Sequence, residues 1–269
     1  TCPLHIEKLL DQELRSLGYK DMKPSAGKIS LEAPLEAGFR ICLWSRLANR
    51  VLLQLGEWDG KDGDSIYQNA REFPWHDHLQ PNQTFAISFH GTNLHIRHPH
   101  YGSQRLKDAL VDHFRDSTGI RPNVDSKNPD VSFWAHMEAD QLKLSLDFSG
   151  VSLHQRGYRQ QQGSTSLKEN LAAALLWQCG WPTKAQNGAA LLDPMCGSGT
   201  ILAEGLLMAA DWAPGLIRKK FGFQSWSGFD AGTWKRLRQE AIERRADGLD
   251  NLPPIIGGDH ADQAIEQTK

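Results

Sequence analysis

The sequence predicts an α+β first half followed by the start of an α/β domain. Helical and strand patterns alternate irregularly over residues 1–148. After them, an apolar strand at 189–192 leads through a glycine turn into an apolar helix at 201–210, and a second apolar strand follows at 255–259. A strand–helix–strand order is typical of parallel sheets covered by helices. The 269 residues are enough for two domains.

In the first half, apolar spacing predicts a helix over 4–17, closed by Gly18, and a mostly helical segment with an extended end over 38–55. The alternation of apolar and polar residues over 84–89 predicts a half-buried strand, because successive side chains of a strand point to opposite faces. The helical and strand periodicities also predict a strand at 29–35, helices at 65–72 and 101–114, and strands at 131–136 and 141–146. A turn is expected at 121–125.

The second half begins with a helix predicted over 167–179. Ser166 and Glu169 have the spacing of a capping box at its start, and Gly180 follows its end. After the second apolar strand, residues 261–269 read as the first turns of another helix. One strand–helix–strand unit is not a stable open sheet, so we expect the natural protein to continue.

Composition and charge exclude several classes of protein. The formal net charge of −2 argues against a strongly basic arm, although a local basic face needs only a few cations. The sequence shows no apolar run of membrane-spanning length, no signal-peptide pattern and no Cys-x-x-Cys, so a reducing cytoplasm is the expected location.

The pairs His76/His78 and His98/His100 have metal-like spacing but no clear third ligand, so we expect loop histidines and no metal.

The most specific stretch is Asp-Pro-Met-Cys-Gly-Ser-Gly-Thr at 193–200. Gly197 and Gly199 permit a tight turn and a close approach of the backbone to a ligand, and the helix start directs N–H groups toward it. A P-loop needs a lysine after the last glycine, and a dinucleotide fold needs a third glycine; both are missing. S-adenosylmethionine needs neither, because Asp193 can hold its ammonium while amides hold its carboxylate.

An acidic residue at the end of the second strand can accept both ribose hydroxyls of such a cofactor. Asp259 occupies that place, and Asp262 is the alternative. We therefore expect the cofactor to be held by the turn and the two strand ends, namely Asp193, Pro194, Cys196, Gly197, Ser198, Gly199, Thr200 and Asp259.

The stretch 193–200 resembles the first motif of class I S-adenosylmethionine-dependent methyltransferases, in the form used by RNA guanine-N2 and DNA adenine-N6 methylases. Residues 37–148 resemble a THUMP domain, an RNA-binding module. The matching sequence stretches are 101–109, 121–125 and 144–150. The resemblance implies four parts: a ferredoxin-like lead-in at 1–36, THUMP at 37–148, a linker at 149–163, and the first part of a Rossmann-like methyltransferase domain at 164–269.

Cations in the first half and the linker are the predicted RNA contacts: Arg97, Arg105, Lys107, Arg121, Arg156 and Arg159. Asp108, Asp112 and Asp116 offset some of this charge, and the sequence does not show whether the cations share one surface. The last two arginines belong to Leu-His-Gln-Arg-Gly-Tyr-Arg at 153–159, a string the family also has. Here three roles stay open, since these side chains can contact RNA, line the cofactor site or hold two domains together.

The overall resemblance is to bacterial 23S rRNA guanine-N2 methyltransferases, which implies N2-methylguanosine as the product. The alternatives are a tRNA guanine-N2 methylase, a DNA adenine-N6 methylase, and an RNA-binding module without activity. The family takes its catalytic polar group from an Asn/Asp-Pro-Pro-aromatic string, which is absent here; Asn251-Leu252-Pro253-Pro254 has the wrong order. We therefore expect the catalytic residues beyond Lys269 and no methyl transfer by this chain alone.

Overall fold

The computed structural model describes residues 1–159, 167–262 and 265. The predicted capping residue Ser166 lies outside these residues. The chain divides into two compact units, which are composed as follows: unit 1 comprises Thr1–Val51, Val151–Lys219 and Ala231–Lys269, and unit 2 comprises Leu52–Gly150 and Lys220–Asp230.

The first segment of unit 1 is built from two helices and a short hairpin: α1 (Glu7–Ser16), β1 (Lys23–Ser25), β2 (Lys28–Ser30) and α2 (Leu35–Trp44). Helix α1 confirms the helix predicted over 4–17, with Gly18 following at φ +95°. The predicted strand at 29–35 is shorter, since Leu35 already starts α2 after Pro34. The boundary predicted between residues 36 and 37 falls inside α2, whereas the unit changes after Val51.

The segment predicted over 38–55 is extended at its end as expected, but its helix is shorter than predicted. Helix α2 ends at Trp44 because Ser45 takes an extended conformation. Leu52 then begins strand β3 (Leu52–Asp59). Apolar residues at 47, 51 and 52 fit either periodicity, so the pattern did not locate the end of the helix.

Unit 2 is a five-stranded sheet with helices α3 (Gly63–Glu72) and α4 (Pro99–Thr118). The strand order is β3-β7-β6-β4-β5. The remaining strands are β4 (Thr84–His90), β5 (Asn123–Val124), β6 (Val131–Glu138) and β7 (Gln141–Asp147). The predicted helices at 65–72 and 101–114 and the strands at 84–89, 131–136 and 141–146 are confirmed. The predicted turn at 121–125 contains β5, which pairs parallel with β4.

The core of unit 2 follows from the alternation along its strands. Val131, Phe133 and Ala135 are buried on β6, and their neighbours in sequence are partly exposed. Residues 220–230 also belong to this unit and contain a 3₁₀ turn at Gly222–Ser225. Trp226 there stacks on His78, with 6.2 Å between ring centroids. This aromatic segment therefore contributes to the packing of unit 2.

The rest of unit 1, within the described residues, includes a parallel strand pair and the following elements: α5 (Glu169–Gln178), α6 (Trp181–Gln186), β8 (Leu191–Asp193), α7 (Thr200–Ala209), α8 (Ala231–Leu249) and β9 (Ile255–Gly257). The predicted helices at 167–179 and 201–210 and both predicted strands are confirmed, the strands as three-residue cores.

Two helices of unit 1 were not predicted. Helix α6 has only six residues, so its apolar pattern is too short to be recognised. Helix α8 did give a signal, because Trp234, Leu237 and Ala241 are buried at helical spacing in an otherwise charged stretch. No helix in the described part of the chain is long and apolar enough to cross a membrane.

Candidate cofactor site

The parallel pairing of β8 with β9 brings the two predicted acidic residues to one edge of the strands. Asp193 ends β8 opposite Gly257, the last residue of β9. The backbone then links the two loops, since Gly258 N–H donates to the Asp193 carbonyl (2.9 Å) and Cys196 N–H donates to the Gly258 carbonyl (2.9 Å). The turn and the second strand end are therefore held as one structure.

The turn between β8 and α7 depends on two glycines in the left-handed region. Gly197 has φ +53° and Gly199 has φ +69°. A Cβ atom placed on Gly197 would meet no atom within 4 Å, so open space borders the turn at this residue. Thr200 is buried and begins α7 directly after Gly199. A ligand above the turn can therefore approach the backbone closely.

Asp259 forms part of the turn itself. One carboxylate oxygen accepts the Gly197 N–H (2.9 Å), and the other accepts the Ala261 N–H (3.0 Å). The hydrogen bond from the Ala261 amide, followed by that from Gly197, lowers the pKa of Asp259 below its ordinary value. Asp259 is therefore ionised at neutral pH. The alternative, Asp262, has an exposed side chain.

The structure brings all eight predicted cofactor residues together around this turn. Asp193 accepts the Met195 N–H at 3.1 Å, which orients its carboxylate at the strand end. Cys196 is buried and Ser198 is partly exposed. Whether these residues bind a ligand stays a prediction at this point.

Arg156 lies in the interior of unit 1. Its side chain is 1% exposed, and its guanidinium lies 3.3 Å from the carboxylate of Glu204, which is 0% exposed. It also donates to the carbonyls of Leu153 (2.6 Å) and Arg46. The predicted RNA contact by Arg156 is therefore wrong in this structure, because protein groups surround the whole guanidinium.

Arg159 lies beside the glycine turn. Its Nη2 donates to the Thr200 hydroxyl (2.8 Å) and to the Leu167 carbonyl (2.9 Å), and its Nη1 is 3.6 Å from the Glu169 carboxylate. The side chain is 17% exposed. Of the three roles left open for this linker, the contacts of Arg159 favour one at the cofactor site.

Sequence reasoning missed several buried charged residues next to these two arginines. Glu13 is buried on α1 and accepts the Ser45 hydroxyl (2.6 Å) and the Arg46 N–H (2.7 Å), while burial raises its pKa. Arg46 donates to the carbonyls of Leu207 and Trp212. The available signal was position, because Glu13 stands between the apolar-face residues of α1.

The predicted RNA-contacting cations of unit 2 have unequal surroundings. Arg105 pairs with Asp64 at 3.0 Å and lies over the Tyr67 ring at 4.7 Å, and Lys107 pairs with Asp108 at 2.8 Å. Arg97 and Arg121 are exposed, and the described residues give neither of them an ion pair. Their role in RNA binding stays a prediction.

His76 and His78 serve hydrogen bonding and packing, whereas His98 and His100 are exposed. The His76 ring is 3.0 Å from the Ser117 hydroxyl, and His78 lies between the rings of Phe73 and Trp226. Within the part of the chain that the structure describes, no group of three or more His, Cys, Asp or Glu is placed to hold a metal ion.

Three family models match successive parts of the chain. They are the RlmL ferredoxin-like domain over 1–52, the THUMP domain over 60–147, and the RMKL-like methyltransferase domain over 156–269. The ribosomal RNA large subunit methyltransferase K/L of Pseudomonas aeruginosa is 47% identical over 267 residues, 99% of this chain and 37% of that protein. The protein of the same name from Cellvibrio japonicus is 48% identical over 260 residues, which are 96% of this chain and 35% of that protein.

The chain belongs to the THUMP-containing, RlmL-like methyltransferases. It spans about a third of the length of these curated relatives, 37% for the Pseudomonas aeruginosa protein. The family assignment confirms the expected order of a ferredoxin-like region, a THUMP domain and a methyltransferase domain.

Solved structures agree with this assignment. A protein from Listeria monocytogenes, described as a predicted N6-adenine-specific DNA methylase, has a TM-score of 0.85 and 30% identity, covering 100% of this chain and 69% of that one. SMU.472, crystallised with SAH, has a TM-score of 0.84 and 26% identity, with the same coverage. The α+β first part followed by a Rossmann-like methyltransferase domain is thereby confirmed.

Proposed function

We propose that this chain belongs to an S-adenosylmethionine-dependent enzyme that methylates N2 of a guanine in 23S rRNA and forms N2-methylguanosine. The observation that carries the proposal is the Asp259 carboxylate bonded to the Gly197 amide at 2.9 Å, which joins two acidic strand ends around one glycine turn. The rRNA substrate is supported by the curated relatives, which are named as rRNA large subunit methyltransferases.

The residues present fit S-adenosylmethionine. Asp193 offers a carboxylate for the ammonium, and the amides of the turn can hold the cofactor carboxylate. Each Asp259 oxygen accepts one backbone N–H and keeps another lone pair, which is what the two ribose hydroxyls need. The bound cofactor would supply an electrophilic methyl group on sulfur. SMU.472, which is complexed with SAH, supports this choice.

In this proposal unit 2 holds the RNA substrate. The exposed Arg97 and Arg121 contact phosphates, and Arg105 and Lys107 contribute where their ion pairs with aspartate open. The target guanine leaves its stack to reach the methyl group, because N2 lies at the edge of a paired base. The substrate places the enzyme in the cytoplasm, where ribosomes are assembled.

The test uses the full-length gene product with labelled S-adenosylmethionine. Protein-free bacterial 23S rRNA, tRNA and duplex DNA are offered at matched salt, and each is digested to nucleosides. Label in N2-methylguanosine from 23S rRNA is the expected result. The description of the Listeria monocytogenes neighbour makes DNA adenine-N6 methylation the second candidate, so label in N6-methyladenine, or in tRNA alone, would overturn the substrate assignment.

Binding of the cofactor is tested separately by calorimetry with SAH. Asp193→Asn and Asp259→Asn should each weaken binding about 10-fold to 100-fold, because each removes a charged acceptor of the cofactor. Asp11→Asn is the matched control, since Asp11 lies on α1 and pairs with Arg15. Unchanged affinity in both site variants would contradict the assignment of the cofactor residues.

A further inference from the structure

Arg159 connects two segments that border the predicted cofactor site. Its Nη2 binds the Thr200 hydroxyl at 2.8 Å on one side and the Leu167 carbonyl at 2.9 Å on the other. Thr200 starts α7 immediately after the glycine turn, and Leu167 lies two residues before Glu169, the first residue of α5. A single guanidinium therefore fixes the distance between the end of the turn and the entry of a second helix.

The placement of this cation needs an explanation. The N-terminus of a helix carries a partial positive charge, so a guanidinium at the start of α7 is electrostatically unfavourable. Glu169 at 3.6 Å offsets the charge in part. A neutral side chain would pack there without this unfavourable charge, whereas the Arg159 guanidinium donates from Nη2 to both a hydroxyl and a carbonyl while its Nη1 faces Glu169.

The glycine turn is the part of the site that most needs such support. Gly197 and Gly199 lose more backbone freedom than other residues when they are ordered. The Ser198 hydroxyl lies 3.4 Å from the Thr200 hydroxyl, so the residue held by Arg159 also neighbours the middle of the turn. A turn that is ordered before the ligand arrives binds it more tightly, because the ordering no longer opposes binding.

We propose that Arg159 is a positioning residue for cofactor binding, which holds Thr200 against the Leu167 carbonyl and thereby keeps the turn 197–199 in its binding conformation. This inference rests on the proposed function, since it assumes that S-adenosylmethionine binds at the turn. Arg159 acts here through Thr200.

The experiment measures SAH affinity by calorimetry in the full-length protein. Arg159→Ala is expected to weaken binding about 10-fold to 100-fold, and Arg159→Lys less, because lysine keeps the charge and a donor but has no second nitrogen to face Glu169. Thr200→Val, which keeps the branched shape and removes the acceptor, should weaken binding about 10-fold. Thr200→Ser keeps the hydroxyl and should bind within about twofold of the wild type.

The double variant Arg159→Ala/Thr200→Val distinguishes positioning from two separate contacts. If Arg159 acts through Thr200, the double variant binds no more than about threefold more weakly than Arg159→Ala. Losses that multiply would mean that the two residues act independently, and would overturn the proposal. Binding by Arg159→Ala within twofold of the wild type would overturn it as well.

Two controls separate this result from other failures. Urea denaturation of each variant shows whether lost affinity merely follows lost stability; a positioning role requires the affinity to fall in variants that remain fully folded under the assay conditions. Arg15→Ala on α1 is the matched arginine control, with its side chain 53% exposed. If the wild-type protein itself does not bind SAH, the proposed function fails; if it binds and Arg159→Ala binds equally well, only the present inference fails.

Discussion

Arg156 in unit 1 and Arg105 in unit 2 have the same side chain in opposite surroundings. The Arg156 side chain is 1% exposed and faces Glu204, which is 0% exposed, whereas the Arg105 side chain is 26% exposed and faces Asp64, which is 87% exposed. Both were predicted to contact RNA. The difference shows that an arginine in a linker motif serves the interior when its partner is buried, while one on an open helix remains accessible to a ligand.

The largest effect should come from breaking the buried pair. Arg156→Met leaves Glu204 buried without its cation, which should lower the free energy of unfolding by about 3–5 kcal/mol. Urea denaturation measures this change. The double variant Arg156→Met/Glu204→Met should recover a large part of it, because a buried pair can often be replaced by apolar residues at little cost. A single variant within about 1 kcal/mol of the wild type would show that the pair is not desolvated.

A smaller effect should come from His154, in the same linker as Arg156. Burial, followed by the positive charges of Lys168 and Arg156, lowers the pKa of His154 from 6.5 to about 4. The folded state then keeps this imidazole neutral where the unfolded chain takes up a proton. The free energy of unfolding should therefore fall as the pH drops from about 6.5 to about 4, by about 1–3 kcal/mol from this group.

The measurement compares urea denaturation of the wild type and His154→Gln between pH 8 and pH 4. The variant should lose less stability over the acidic range, and the difference between the two curves isolates His154 from the carboxyl groups that titrate in the same range. Parallel curves would mean that the histidine is accessible to protons in the folded protein.

Breaking the surface pair in unit 2 should matter much less. Arg105→Ala removes an ion pair with Asp64 and a contact over the Tyr67 ring at 4.7 Å, and should cost about 0.5–1 kcal/mol. Thermal and urea denaturation would check this value. Arg105→Lys keeps the charge, so its free energy of unfolding should lie between those of the wild type and Arg105→Ala. If Arg105→Ala lost as much unfolding free energy as Arg156→Met, the surroundings of Arg105 and Arg156 would not differ in the way described above.

The smallest effect on stability should come from the exposed cations. Arg97→Ala and Arg121→Ala should change the free energy of unfolding by less than about 0.5 kcal/mol. If each contacts one phosphate, each should reduce the salt dependence of binding to 23S rRNA by about one unit of slope. Arg115→Ala is the control on the same unit, since Arg115 pairs with Asp112 at 2.8 Å. Wild-type slopes in both variants would exclude these phosphate contacts.

The elements that the sequence predicted well are those whose signal is local. The alternation over 84–89 and the spacing over 101–114 lie within β4 and α4, and the glycine turn is specified by neighbouring residues. The end of α2 was missed, because apolar residues after Trp44 fit a helix as well as a strand. Whether each of these elements was predicted correctly therefore depended on the apolar pattern of a few adjacent residues.

Of the interactions between residues far apart in sequence, some were predicted and others were not. Asp259 was predicted beside the turn, 62 positions away from Gly197, because adjacent parallel strands end at one edge and this rule needs no side-chain detail. The burial of Arg156 depends on Glu204, 48 positions away, and on the carbonyl of Arg46. No spacing in the sequence marks such a pair, so Arg156 was placed among the predicted RNA contacts, with a role at the cofactor site and a role in holding two domains together left open.

The membership of residues 220–230 in unit 2 affects how the protein is made. About 70 residues separate Gly150 from Lys220, and a ribosome adds roughly 5–20 residues per second, so the last segment of unit 2 is synthesised about 4–14 s after the rest. During that interval the positions taken by Phe223 and Trp226 beside Phe148 and His78 have no occupant. Unit 2 of the nascent chain is therefore completed only after the glycine turn of the methyltransferase domain has been translated.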